Sequence, residues 1–95
     1  MQVIDAKNAG SLGRGQEIKG GCVCIEPGKS VGEHSTGSGE EFILVLEGEA
    51  TVLCGGEEKV VGKDEAVFIP KETLHDVKNL SEGKLVYVYF VGGKK

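Results

Sequence analysis

Gly28-Lys-Ser-Val-Gly-Glu-His34-Ser-Thr36-Gly-Ser-Gly-Glu40-Glu41-Phe-Ile-Leu-Val-Leu-Glu-Gly48 is the stretch that decides the fold. Its second half, Glu41 to Leu46, is the strongest strand signal in the chain, a short apolar run bounded by glycines. Side chains alternate along a strand, so Phe42, Leu44 and Leu46 share one face and Glu41, Ile43, Val45 and Glu47 the other. Glu40 therefore faces out and Glu41 in. Both faces are apolar in the middle, whereas a strand with one face in water alternates apolar and polar. The outer face must be covered, either by the chain's own N-terminal strand or by a second subunit, and a homodimer is the favoured expectation. A second stretch, Pro70-Lys-Glu-Thr-Leu-His75-Asp-Val-Lys-Asn79, repeats one feature of the first. In each, a histidine follows a turn and enters a strand.

Outward from these blocks, strand signals recur and helical periodicity is absent almost everywhere. Val3-Ile4 reads as a first strand and residues 8–16 as a loop. Glu17 to Ile25 is a strand with a bulge or bend at Gly20-Gly21. After a Pro27-Gly28 turn, residues 29–34 are extended and residues 35–39 form a small-residue loop. Ala50 to Cys54 and Glu57 to Val61 form a hairpin around Gly55-Gly56. Ala66 to Ile69, His75 to Lys78 and Leu85 to Val91 complete the set. In the last of these, Leu85, Tyr87, Tyr89 and Val91 alternate with Val86, Val88 and Phe90, and neither row is polar. Eight or nine strands of about five residues fit an all-β jelly roll or a small closed barrel. We expect one domain over residues 1–95.

Composition removes several function classes. The chain has 95 residues with 16 glycines, and these follow no Gly-X-Y period, which excludes a collagen-like chain. A hydrophobic content of 39% opposes disorder. No apolar run approaches the ~20 residues of a membrane helix. The net charge is −4 and the single arginine is Arg14, so no basic stripe supports nucleic-acid binding. The N-terminal residues lack the pattern of a signal peptide, and a cytoplasmic location is expected. Three cysteines close no disulfide framework without a leftover thiol. Cys22 and Cys24 share a strand face and read as packing residues, while Cys54 sits at a hairpin end and is expected to be exposed. Gly13-Arg14-Gly15 lacks the strand–loop–helix context of a phosphate loop. Phe42, Phe68 and Phe90 read as core or interface residues, and Asn79 as a turn cap or backbone hydrogen-bonder.

The two histidine blocks together resemble the cupins, the family of small double-stranded β-helix barrels. Residues 28–48 follow the first cupin motif at Gly28, His34, Glu41 and Gly48. Residues 62–79 follow the second at Pro70, His75 and Asn79. Three positions depart from the pattern. Thr36 stands where the first motif has its second histidine. Asp64 and Glu72 stand where the second motif has glycines, and Gly62 is a nearby source of turn freedom. The resemblance implies a cupin-like jelly-roll barrel over the whole chain and a metal site at its mouth. His34 and Thr36 are two apart and point to one side of an extended segment, and a barrel brings Glu41 and His75 to them. His34, Glu41 and His75 are then a two-histidine, one-carboxylate set able to hold Fe, Mn, Zn or Ni. Thr36 is expected to orient a metal-bound water from behind the ligands. Tyr87 and Tyr89 share a face, and one of them is a candidate proton donor in the pocket, the alternative being a place in the core or a dimer seam. The resemblance implies a small polar ligand or substrate, handled by dioxygenase, isomerase or lyase chemistry. The alternative is a non-enzymatic binding module, with or without metal, and the choice between enzyme and binder stays open.

Overall fold

The computed structural model describes residues 1–15 and 17–93. In chain order its elements are a one-turn helix α1 (Ala6–Ala9) and the strands β1 (Ser11–Arg14), β2 (Ile18–Ile25), β3 (His34–Ser35), β4 (Glu40–Glu47), β5 (Ala50–Cys54), β6 (Glu57–Val61), β7 (Ala66–Ile69), β8 (Leu74–Lys78) and β9 (Leu85–Gly92). Alternation in the sequence becomes alternation in burial. Along β4, Glu41, Ile43 and Val45 are buried while Glu40 and Phe42 are exposed. Along β9, Leu85, Tyr87 and Tyr89 lie on the same inner side as those residues of β4, since Ile43 pairs with Tyr89 and Val45 with Tyr87.

The strands form two sheets, one of order β1-β2-β9-β4-β7 and one of order β3-β8-β5-β6. The first supplies Ile43, Val45, Ile69 and Leu85 to the core, and the second supplies Val52 and Val77. Residues from both sheets in one core define the face-to-face jelly roll that the sequence implied. Gly55 and Gly56 both have positive φ, as a two-residue hairpin turn requires. Asn79 is fully buried and uses every part of its amide: Nδ2 donates to the carbonyls of Ile25 and Gly83 at 2.8 Å, and Oδ1 accepts from the Ser81 amide and hydroxyl.

The N-terminal part differs from expectation. Residues 1–5 form no strand, and Val3 is 90% exposed. The expected loop at 8–16 instead holds the end of α1 and all of β1, residue 16 lying outside the described residues. β1 exists because the edge of β2 offers backbone partners, and such pairing overrides weak strand propensity. The irregularity expected at Gly20-Gly21 is carried by β1, whose register shifts between Ser11 and Gly13. β2 itself pairs without interruption with β9, from Ile18 opposite Gly92 to Ile25 opposite Leu85. α1 packs against β2 and β9, and Lys7 reaches Glu47 at 3.2 Å. The chain's own N-terminal segment thus covers part of the outer face, where Val86 and Val88 are buried. Cys54, expected to be exposed, is half-buried against the core.

Two turns explain the departures from the glycine pattern. Asp64 has φ 70° and Glu72 has φ 55°, so both adopt the left-handed backbone that glycine favours. Gly62 does not take up that conformation. The turns are held by backbone bonds from the Asp64 amide to the Val45 carbonyl (2.8 Å) and from the Glu72 amide to the Gly37 carbonyl (2.6 Å). Gly48 combines positive φ with an absolute steric need, since a Cβ there would run into the Lys84 carbonyl. Urea unfolding should show Glu72→Gly more stable than wild type by about 0.5 kcal/mol, with a smaller gain for Asp64→Gly. Gly48→Ala should lose on the order of 2 kcal/mol or more. A destabilised Glu72→Gly would contradict the strain assigned to that turn.

Candidate metal centre

His34 and His75 are direct cross-strand partners, because β3 pairs with β8 at this position. Partners on one face of an antiparallel pair bring their side chains together. The two rings meet edge to face, with centroids 4.2 Å apart and planes inclined at 62°. Glu41 comes from β4 in the opposite sheet and brings Oε1 to 3.2 Å from His75 Nε2. One ligand atom from each of His34, Glu41 and His75 lies within 4.8 Å of the others. His75 is 2% exposed and Glu41 8%, whereas His34 is exposed at the mouth.

Both rings are oriented the same way. His34 Nδ1 is 2.9 Å from the Gly32 carbonyl, and His75 Nδ1 is 3.0 Å from the Thr73 carbonyl. A carbonyl only accepts, so each Nδ1 carries the proton and donates it. In the neutral ring, Nε2 then keeps its lone pair. His75 Nε2 is buried and makes no hydrogen bond among the described residues, its approach to Glu41 lacking hydrogen-bond alignment. An unsatisfied buried polar atom costs about 1–3 kcal/mol. A divalent cation between the three side chains would satisfy it, and two imidazoles with a carboxylate suit Fe, Mn, Zn or Ni. The residues therefore fit a metal.

The surrounding polar groups hold these rings in place. Asp76 is buried and its Oδ1 accepts from the Gly32 amide at 3.0 Å, so it fixes the residue whose carbonyl orients His34. Thr36 lines the same cavity, but its hydroxyl donates to the Pro70 carbonyl at 2.8 Å and accepts from the Thr73 amide at 3.2 Å. It ties the end of β3 to the turn that leads into β8. One lone pair of that hydroxyl remains to receive a water proton.

The cavity over the three side chains has a volume of about 360 Å³. Tyr87 and Tyr89 both line it, together with Lys19, Ser35 and several valines. Tyr87 is 4% exposed. Burial pushes its phenol well above the usual value, with the Glu41 charge adding to the effect, so it stays protonated at neutral pH. The Tyr89 ring lies across Gly21, where a Cβ would clash with its Cε2, Cζ and hydroxyl. On the other face of the sheet, Phe90 lies in the same way against Gly20. The two glycines are seats for rings rather than a bend in their own strand. Lys19 and Asp76 were not singled out by sequence reasoning. Lys19 alternates in step with Gly21, Val23 and Ile25, and that shared inner face is the signal that points to it. Cys22 and Cys24 stand apart from the triad, and burial raises the Cys22 thiol, with the Cys24 charge second.

Residues 21–91 match the model of the cupin domain family. The chain belongs to the cupins. Among curated relatives, this cupin is 32% identical over 59 residues to the tetracenomycin polyketide synthase protein TcmJ of Streptomyces glaucescens, covering 62% of this chain and 40% of that protein. The chain spans less than half the length of the curated relatives it matches. Among solved structures, it is similar to the Cnp3 cupin domain of Schizosaccharomyces pombe, with a TM-score of 0.84 at 16% identity, covering 88% of this chain and 62% of that one. It is also similar to a predicted oxalate decarboxylase of Thermotoga maritima, with a TM-score of 0.74 at 16% identity and 81% of each chain covered. At these identities the likeness to the solved structures is one of fold.

Burial raises the Glu41 carboxyl above its ordinary value, and the charges of His75 and His34, the polar contact with His75 and the charge of Lys19 pull it partly back. The folded protein therefore holds this proton more tightly than the unfolded chain. Between the ordinary carboxylate value and the raised one, metal-free stability should fall as pH rises. Glu41→Gln should remove that fall and unfold later than wild type at neutral pH in the presence of a chelator. Identical pH profiles for the two metal-free proteins would contradict the cost assigned to this carboxylate.

Proposed function

We propose that this cupin is a small cytoplasmic protein that holds one divalent metal through His34, Glu41 and His75 and binds a small polar metabolite in the cavity above it. The observation that carries the reading is the buried Nε2 of His75, which makes no aligned hydrogen bond among the described residues and lies among potential ligand atoms within 4.8 Å of one another. A bound metal would supply Lewis acidity at the cavity floor. The chain's own groups divide the remaining work. Gly32 and Thr73 hold the two imidazoles by their Nδ1 protons. Tyr87 offers a protonated phenol to a ligand oxygen, and Tyr89 borders the same space. Val23, Val31, Val77 and Val91 line the walls and exclude water. Thr36 accepts from a water with its free lone pair. Free thiols at Cys22, Cys24 and Cys54 fit a reducing compartment.

Dioxygenase, isomerase and lyase chemistry are all open to such a site. A second reading, binding without turnover, draws on the exposure of His34 at the mouth, which is how a module passing its ligand to a partner would be built. Assay of the metal-loaded protein on candidate metabolites separates the two readings by turnover.

We further infer a homodimer. Phe90, Phe42 and Phe68 are in register across β9, β4 and β7, and they remain 40%, 55% and 47% exposed. The Phe42 and Phe68 rings are 5.2 Å apart. Such an apolar row fits a second copy of the same face. In sedimentation at micromolar concentration the wild type should run as a dimer and Phe42→Lys as a folded monomer. A monomeric wild type would overturn this inference.

Elemental analysis and calorimetric titration should find about one divalent metal per chain. His75→Ala should weaken it by on the order of a hundredfold, and Thr36→His should tighten it. A folded protein that takes up no metal would contradict the reading.

A further inference from the structure

Among the described residues, Lys19 is the one lysine or arginine bordering the cavity that holds the triad. It forms no hydrogen bond or ion pair among the described residues. Lys19 on β2 and Glu41 on β4 both pair with Val91 on β9, so the three belong to one cross-strand row. Two inter-strand steps separate the backbones of Lys19 and Glu41 by about 10 Å. Lys19 therefore stands at the rim on the same face as the triad. Its charge reaches the triad, where it favours the ionised Glu41.

A second observation comes from β9, the strand beside that of Lys19 in the same sheet. Tyr87 is 4% exposed, borders the same space, and its phenol has no hydrogen-bond partner among the described residues. The phenol is thus a donor that can meet an oxygen of a ligand in the cavity. Among the described residues, Glu41 is the only acidic one lining the cavity. A divalent cation on the triad would offset that charge and leave the space net positive, with one ammonium at the rim and one phenol within.

We propose that the cavity selects a small carboxylate that carries a second oxygen function, the carboxylate lying against Lys19 and the other oxygen at the triad, where Tyr87 donates to it. This rests on the metal-centre reading above and adds the ligand class. A lone ammonium suits a singly charged carboxylate. A dianionic phosphate is usually met by more donors, such as the free amides of a helix N-terminus, and no such helix borders this cavity. Lys19 is then the residue that sets specificity, and Tyr87 the one that orients the bound oxygen.

Titrations of cobalt(II)-loaded and metal-free protein with succinate, with neutral succinamide and with inorganic phosphate test this. Succinate should bind the cobalt form, and succinamide at least tenfold more weakly. Lys19→Gln should lower succinate affinity about tenfold while cobalt affinity stays within threefold of wild type, and Lys19→Arg should recover most of the loss. Tyr87→Phe should lower succinate affinity severalfold in a protein that still binds cobalt. Equal succinate affinity in wild type and Lys19→Gln overturns the proposal, as does phosphate binding more tightly than succinate. Failure to bind cobalt counts against the metal centre alone, and the metal-free titrations then read the Lys19 effect directly. Absence of succinate binding in both forms overturns the ligand class.

Discussion

A buried imidazole nitrogen facing a buried carboxylate, with no aligned hydrogen bond among the described residues, is the constraint on which this structure turns. His75 Nε2 is buried and makes no aligned hydrogen bond among the described residues, and Glu41 Oε1 stands 3.2 Å away, close enough to pair with the ring when it is protonated. A fold selected for stability alone would have filled the place with an apolar side chain, since a buried polar group without a partner costs free energy. The surrounding chain instead works to keep the arrangement. Each ring is oriented through Nδ1 by a carbonyl two residues earlier. Asp76 fixes one of those carbonyl-bearing residues, and Thr36 clamps the two segments that carry the histidines. These contacts hold together a cluster that fits a metal, and they draw on both sheets.

The rest of the barrel accommodates that set through close approaches of backbone and ring. Gly21 leaves room for Tyr89 on the inner face, and Gly20 leaves room for Phe90 on the outer face. The same strand pair thus builds a cavity wall on one side and an apolar row on the other. Turn geometry is conserved in a different way. Asp64 and Glu72 take left-handed backbone without the freedom of glycine, because the backbone hydrogen bonds of their amides hold the turns closed. The shape needed to aim His75 is kept at the expense of local strain.

Much of this was legible in the sequence, and the particular residues say why. Strand β4 and the Gly55-Gly56 hairpin carry local signals, alternation in one case and paired glycines in the other. The triad was legible because its spacing follows the two cupin blocks, and the motif Asn79 was read as a backbone hydrogen-bonder, which it is. β1 was not legible, since it forms on a neighbour's free edge rather than from its own propensity. Gly20-Gly21 suggested a bend because a glycine gives no sign of the ring that lies over it. The pairing of the Thr36 hydroxyl with Pro70 and the reach of Asp76 to Gly32 depend on which strands become neighbours. No local pattern encodes that.

Anomalous diffraction from crystals of the manganese- or zinc-loaded protein tests the central claim most directly. The account predicts one strong peak per chain, bonded to Nε2 of His34, Nε2 of His75 and the Glu41 carboxylate. A folded protein with no peak among these three side chains, and with His75 Nε2 hydrogen-bonded to a water or to protein, would contradict it.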